Sequence, residues 1–254
     1  MRVGYLVMGL FLLVLLGNVK AYYNITFVNT TVVLNSNTSA HVVETFDVYV
    51  SNSSVSQYTK NRNAIGLTLN DWQKTLYATN LVQNIINYKR STYDFTFLPG
   101  PLILEPYGGQ AILTMSYYVN NVTDMKNIAP REFEYTFNNS VLNFEYTING
   151  QALPPNYRFN IIIPAGSELV KVYPLPDSPA PSFLGDYKNF TSFSWYSQEP
   201  LSQFSFSFTS KESLQSEVTG YFSNIYYHDY NTIYLLLLLG IALAIVYTYI
   251  KFWR

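Results

Sequence analysis

The stretch HVVETFDVYV, His41 to Val50, decides the fold class. Val42, Glu44, Phe46, Val48 and Val50 alternate with Val43, Thr45, Asp47 and Tyr49. A period of two places each set on its own side of an extended strand, and the first, more apolar set predicts a buried face. Glu44 is the exception in that set. Upstream, YNITFVNTTVVL is equally rich in Val, Thr, Tyr and Phe, and an Asn/Ser cluster separates the two runs. The pair reads as an antiparallel hairpin opening a β-sandwich.

Moving outward, one long interruption follows at Asn70–Lys89. Trp72, Leu76, Thr79, Val82 and Ile86 recur at helical spacing, with Asn70 as the expected cap; the many Asn and Thr residues leave two shorter turns of helix as the alternative. Strands resume at STYDFTF, Ser91 to Phe97, and the Pro99-Gly100-Pro101 and Pro106-Tyr107-Gly108-Gly109 turns follow before QAILTMSYYVN. Residues 121–130 read as a soft boundary. Beyond it come REFEYTF, VLNFEYTI ending at a hairpin-forming Asn149-Gly150, YRFNIII, ELVKVY, FTSFSWY and QFSFSFTS. The proline-stiffened PLPDSPAP between two of them is an extended loop. The expected fold is mainly β: two antiparallel sandwiches, at 22–125 (with the helical insertion near 70–89) and 126–210.

Both ends point to a membrane. Ile233 to Ile250 is an uncharged run of 18 residues containing eleven Leu, Ile and Val. At about 1.5 Å per residue it reaches roughly 27 Å, close to the hydrocarbon thickness of a bilayer. Lys251 and Arg254 then form a cytoplasmic tail, residues 251–254, as the positive-inside rule requires. Met1-Arg2, the apolar block Val3–Leu16 and the small residues Val19 and Ala21 make a signal peptide over 1–21, the alternative being an uncleaved amino-terminal anchor. Residues 211–232, with Leu214, Val218 and Ile225 at helical spacing and a tyrosine-rich end, read as a juxtamembrane helix carrying an interfacial aromatic belt.

The composition fits export. Seven Asn-x-Ser/Thr sequons begin at Asn24, Asn29, Asn37, Asn52, Asn121, Asn138 and Asn189, and none falls inside the expected span. With no Cys, disulfides are excluded and the outer part must rely on its core. Charged residues are 12% of the chain against a usual value of about 25%. Few carboxylates means few groups whose protonation unfolds a protein, so an acidic exterior is expected. A net charge of −1 offers no basic patch for nucleic acid. The expected partners are the lipid bilayer and other membrane or surface proteins, with no cofactor and no small-molecule substrate.

Catalytic motifs are scarce. His41 and His228 are far apart and outside any metal-ligand pattern. Gly166-Ser167 reads as a turn, not as a nucleophile. Glu132 and Glu134, at i and i+2 of a strand, point the same way with Cβ atoms about 7 Å apart, within the range glycosidases use. Alternation already explains them as a solvent face. Aromatic rings invite a sugar-binding reading, yet most stand at alternate strand positions, where a core needs them.

The strand-rich opening NTTVVLNSNTSAHVVETFDVYV, the later FNIIIPAGSELVKVYP and a single carboxy-terminal span resemble, in layout, ribophorin I-like ectodomains and archaeal single-span surface membrane proteins. The composition resembles that of surface proteins of thermoacidophilic archaea or their enveloped viruses. The ribophorin resemblance implies an accessory role beside a membrane glycosylation or secretion machine, without catalytic residues. The expected function is that of a non-enzymatic, membrane-anchored extracellular glycoprotein at a cell or virion surface. An accessory subunit and an extracellular hydrolase are the alternatives.

Overall fold

In the computed structural model, described residues are 23–89, 92–148, 150–180, 187 and 189–211, with six single positions between 234 and 251. The expected signal peptide lies outside them, as do the expected juxtamembrane helix beyond Lys211, which ends a strand, and most of the expected span. Among the described residues no helix is long and apolar enough to cross a membrane. Two units partition the chain: Met1–Lys126 with Glu134–Ser210, and Asn127–Phe133 with Lys211–Arg254. In the second, Tyr234, Gly240, Ile241, Leu243, Tyr247 and Lys251 are helical and exposed.

The described chain is mainly β. It runs β1 (Tyr23–Leu34), β2 (Ala40–Ser51), α1 (Val55–Asn63), α2 (Leu69–Leu76), β3 (Tyr93–Pro99), β4 (Ile103–Glu105), β5 (Gly108–Val119), β6 (Thr123–Ala129) and β7 (Glu132–Phe137). Then come β8 (Tyr146–Thr147), β9 (Gly150–Gln151), β10 (Tyr157–Ile162), β11 (Glu168–Tyr173), β12 (Ser192–Tyr196) and β13 (Ser205–Lys211). The β1–β2 hairpin forms as expected, and Val42, Phe46, Val48 and Val50 are buried. Glu44 is buried with them.

A seven-stranded sheet has the order β12-β10-β1-β2-β5-β3, with β4 also on β5. All its pairs are antiparallel except β1–β10, which is parallel. The arrangement differs from two successive antiparallel sandwiches. β10 and β12 come from beyond the expected boundary, yet they extend the sheet begun by β1. Local alternation identifies strands, but the partner of a free edge is fixed by which apolar rows align. Here Val28, Thr30 and Val32 come level with Tyr157, Phe159 and Ile161. Close approach matters at one β5 position: a Cβ at Gly108 would stand 2.2 Å from the Val50 carbonyl oxygen.

One face of this sheet is covered in two ways. At the β10–β12 end it meets a four-stranded sheet of order β11-β13-β7-β6. Phe193 meets Phe206 edge-on, and Trp195 meets both Phe204 and Phe206 in the same way. All four rings are buried, each contributing about 1.5–3 kcal/mol through removal from water. Trp195 Nε1 donates to the Pro174 carbonyl at 3.0 Å, so its polar atom is satisfied.

At the other end the cover is the segment from residue 52 to 89, which replaces the single helix expected over 70–89. The helix is only Leu69–Leu76, and its cap is Thr68 rather than Asn70. Thr68 and Asp71 form a reciprocal capping box, and Tyr77 in the left-handed region (φ 51°) ends the helix. A second helix, α1, has no marked apolar face and was not expected; it docks through one buried residue, Tyr58, whose ring meets Trp72 edge-on at 5.4 Å. After α2, residues 78–87 run as an irregular strap. A short hairpin, β8–β9, forms near the expected Asn149-Gly150 turn, but Gly150 (φ 99°) pairs with Thr147 in the ladder, and Asn149 lies outside the described residues.

Candidate functional site

The sequons are spread over the described surface. Asn24, Asn37, Asn52, Asn121 and Asn189 are exposed, while Asn29 and Asn138 are half-buried. At Asn37 and Asn138 the side-chain oxygen accepts from the backbone N–H and hydroxyl of Ser39 and Ser140. These bonds fix each turn and engage the amide oxygen only. Asn29 differs: it stands within β1, and its Oδ1 accepts from Asn160 Nδ2 at 2.6 Å.

Residues with catalytic possibilities are not gathered together. Glu132 and Glu134 are half-exposed while Tyr135 and Phe137 are buried, the alternation the sequence predicts. Glu132 faces Lys211 at 4.0 Å. Ser167 is buried, its N–H closes a turn to the Pro164 carbonyl, and its hydroxyl has no partner. His41 is committed to the open face of the sheet, where Nε2 lies 2.7 Å from Ser116 Oγ and the ring stacks on Tyr118. His228 lies outside the described residues. Among the described residues no group of three or more His, Cys, Asp or Glu could hold a metal ion.

Glu44 organises the most unusual chemistry. It lies in a cross-strand row reading Trp195, Phe159, Thr30, Glu44 and Met115. Above it runs the strap. The carboxylate accepts from the Asn84 N–H at 2.8 Å, from the Asn84 side-chain amide and from the Tyr117 hydroxyl. Asn84 Nδ2 also donates to Thr30 Oγ1 at 3.2 Å. The strap's far side is tied down as well: the Asn143 and Ile86 N–H groups donate to the Asn84 and Val141 carbonyls, each at 2.8 Å. These bonds explain why 78–87 is not helical, because its backbone groups are satisfied by neighbours.

No basic group is among the partners of Glu44. Burial raises its pKa from 4.5 to about 7, outweighing the hydrogen bonds that pull it down, Tyr117's foremost. The Tyr117 phenol is raised well above its usual value by burial and by the neighbouring Glu44 charge. Glu44 is 0% exposed, so no substrate can reach it. The sequence marks Glu44, as the one acid in an apolar set; it carries no mark for Asn84, because its partner lies 40 residues away.

Beside this network lies an open cleft of about 500 Å³. The β1 bulge between Ile25 and Phe27, residues 79–84 of the strap, residues 143–145 and the 154–157 turn form its walls. Tyr157 is 8% exposed, and burial, with smaller contributions from the charges of Glu44 and Glu145, pushes its phenol up to about 12. Neither a protein-family model nor a curated protein matches this chain.

Proposed function

We propose that this chain is a type I, single-span surface glycoprotein whose β-rich outer part acts by structure and interaction. The observation that carries this reading is the uncharged run 233–250, in which Tyr234, Ile241, Leu243 and Tyr247 are helical yet 56–66% exposed. Apolar side chains left in the open on a helix are suited to lipid, where no water has to be ordered around them. The placement of the sequons supports the same reading. An acidic exterior is supported by Glu44, whose protonation favours the folded state. Protease added to intact cells should remove the outer part, and a glycosidase should increase the gel mobility of the full chain. A polypeptide untouched by external protease overturns the orientation.

A second reading, a non-catalytic accessory subunit resembling the ribophorin-type layout, is favoured by Gly240, where an added Cβ would meet nothing within 4 Å. Such a position lets a partner helix approach closely. Stoichiometric co-purification of another membrane protein from native membranes would select this reading; a chain purifying alone would reject it.

A further inference from the structure

We infer that the cleft beside the strap is a binding site for a neutral saccharide. Several of its polar groups are of the kind a sugar needs and are not used by the fold. Thr79, Asn80, Glu145 and Asn156 line it and are exposed, and among the described residues none has a side-chain hydrogen bond. Tyr157 adds a stronger sign. Its ring is packed away, at 8% exposure, and among the described residues no protein group hydrogen-bonds its hydroxyl. A phenol whose O–H is sealed in protein has that group bonded; this hydroxyl is not among the buried unpartnered atoms, so it meets solvent or whatever takes solvent's place. Here it lines the cleft instead, held on β10 beside the parallel pairing of Val28 with Tyr157.

The chemistry selects the class of ligand. Two free carboxamides offer donors and acceptors together, a carboxylate accepts from a pair of hydroxyls, and a phenol or threonine hydroxyl can do either. A polyol presents the complementary mixture on every carbon. Charged ligands fit less well. Neither Lys nor Arg lines the cleft, so an anion has no counter-ion, and one exposed carboxylate is a slender hold for a cation. Pro154, Pro155 and Phe27 add an apolar wall against which the C–H face of a pyranose can lie. The volume falls within the range of about 300–1,000 Å³ usual for ligand sites.

The site differs in kind from the aromatic positions that the sequence offers for sugar binding. Many of those rings are in the core and others stand exposed on strands and turns, whereas the cleft is walled by the β1 bulge, the strap, residues 143–145 and the 154–157 turn. Asn84 forms part of both the cleft and the Glu44 network, so a ligand seated there would touch the residue that pins the strap.

The test uses the full chain in detergent micelles and saturation-transfer NMR with mannose, glucose, galactose and N-acetylglucosamine disaccharides. At least one should show transfer, with Tyr157→Phe weakening it about tenfold, the value of roughly one or two neutral hydrogen bonds. Tyr157→Phe removes a hydroxyl without a protein partner, so its unfolding midpoint should match wild type. Glu145→Gln should also weaken binding, while Thr114→Ala, on the open face of the sheet, should leave it unchanged. Absence of transfer for every sugar overturns the inference, as does undiminished binding by folded Tyr157→Phe. Preferential binding of a polyamine probe would overturn the saccharide assignment.

Discussion

The large sheet is closed over the same face by two different means. Above β10 and β12 the cover is a second sheet, and the contact is made of rings: Phe159, Phe193, Trp195, Phe204 and Phe206. Above β2 and β5 the cover is the 52–89 segment, two short helices and a strap, and the strap's central contact is a lone carboxyl bonded to Asn84, Thr30 and Tyr117. Aromatic burial is indifferent to protons, whereas a carboxyl without a cation is not. One end therefore supplies stability at any pH, and the other makes stability a function of pH.

The largest expected effect is at the aromatic end. Trp195→Ala should cost about 3–5 kcal/mol in denaturant unfolding, because it empties a fully buried site and leaves the Pro174 carbonyl without its donor. That loss should be the same at pH 4 and pH 8. A strongly pH-dependent loss would erase the distinction between the two ends.

Glu44→Gln is the converse test. The folded pKa is raised above the unfolded value, so the folded state holds the proton more tightly. Below about pH 4.5 both states are protonated, and this group contributes no slope. Between about 4.5 and about 7 the unfolded chain ionises first, and stability falls as pH rises. Above about 7 both are ionised and the loss levels off, at on the order of 3 kcal/mol. Glu44→Gln should abolish this slope, read as unfolding free energy against pH. A wild-type protein whose stability rises over that window would contradict the assignment. Tyr117→Phe sharpens the point: the hydroxyl holds the Glu44 pKa down, so its loss should leave the onset of the fall where it is, extend the fall to higher pH and make it larger.

Smaller effects are expected away from the carboxyl. Thr68→Ala removes the capping box of α2 and should cost about 1 kcal/mol, with faster amide exchange at Asp71. Lys211→Ala should change stability by less than about 0.5 kcal/mol, since the pair with Glu132 is long and the lysine is 72% exposed. The contrast between this pair and Glu44 is one of solvent: water screens the first and is excluded from the second.

Much of this was legible in the residues. The strand at 41–50 declares itself by alternation, and Glu44 stands out as the acid on an apolar face. The solvent-facing Glu132 and Glu134 are likewise read correctly from period two. Less legible was the strap. Trp72, Leu76, Thr79, Val82 and Ile86 do fall at helical spacing, but only Leu69–Leu76 is helical. Beyond Tyr77 the groups on Glu44, Val141 and Asn143 replace the bonds a helix would have made. The cleft was invisible for a related reason: Asn80, Glu145, Asn156 and Tyr157 are ordinary polar positions along the chain, brought together only by folding.

The sequence by itself determined a mainly β chain, a core without disulfides and an uncharged 18-residue run, because each depends on composition or on spacing between near neighbours. Only the tertiary structure decided that β10 lies parallel to β1, that Glu44 is closed in by Asn84, and that Tyr157 faces a cleft. Those facts depend on pairings across tens of residues or more, where the free energy of matching one buried surface to another selects among strands that look locally alike.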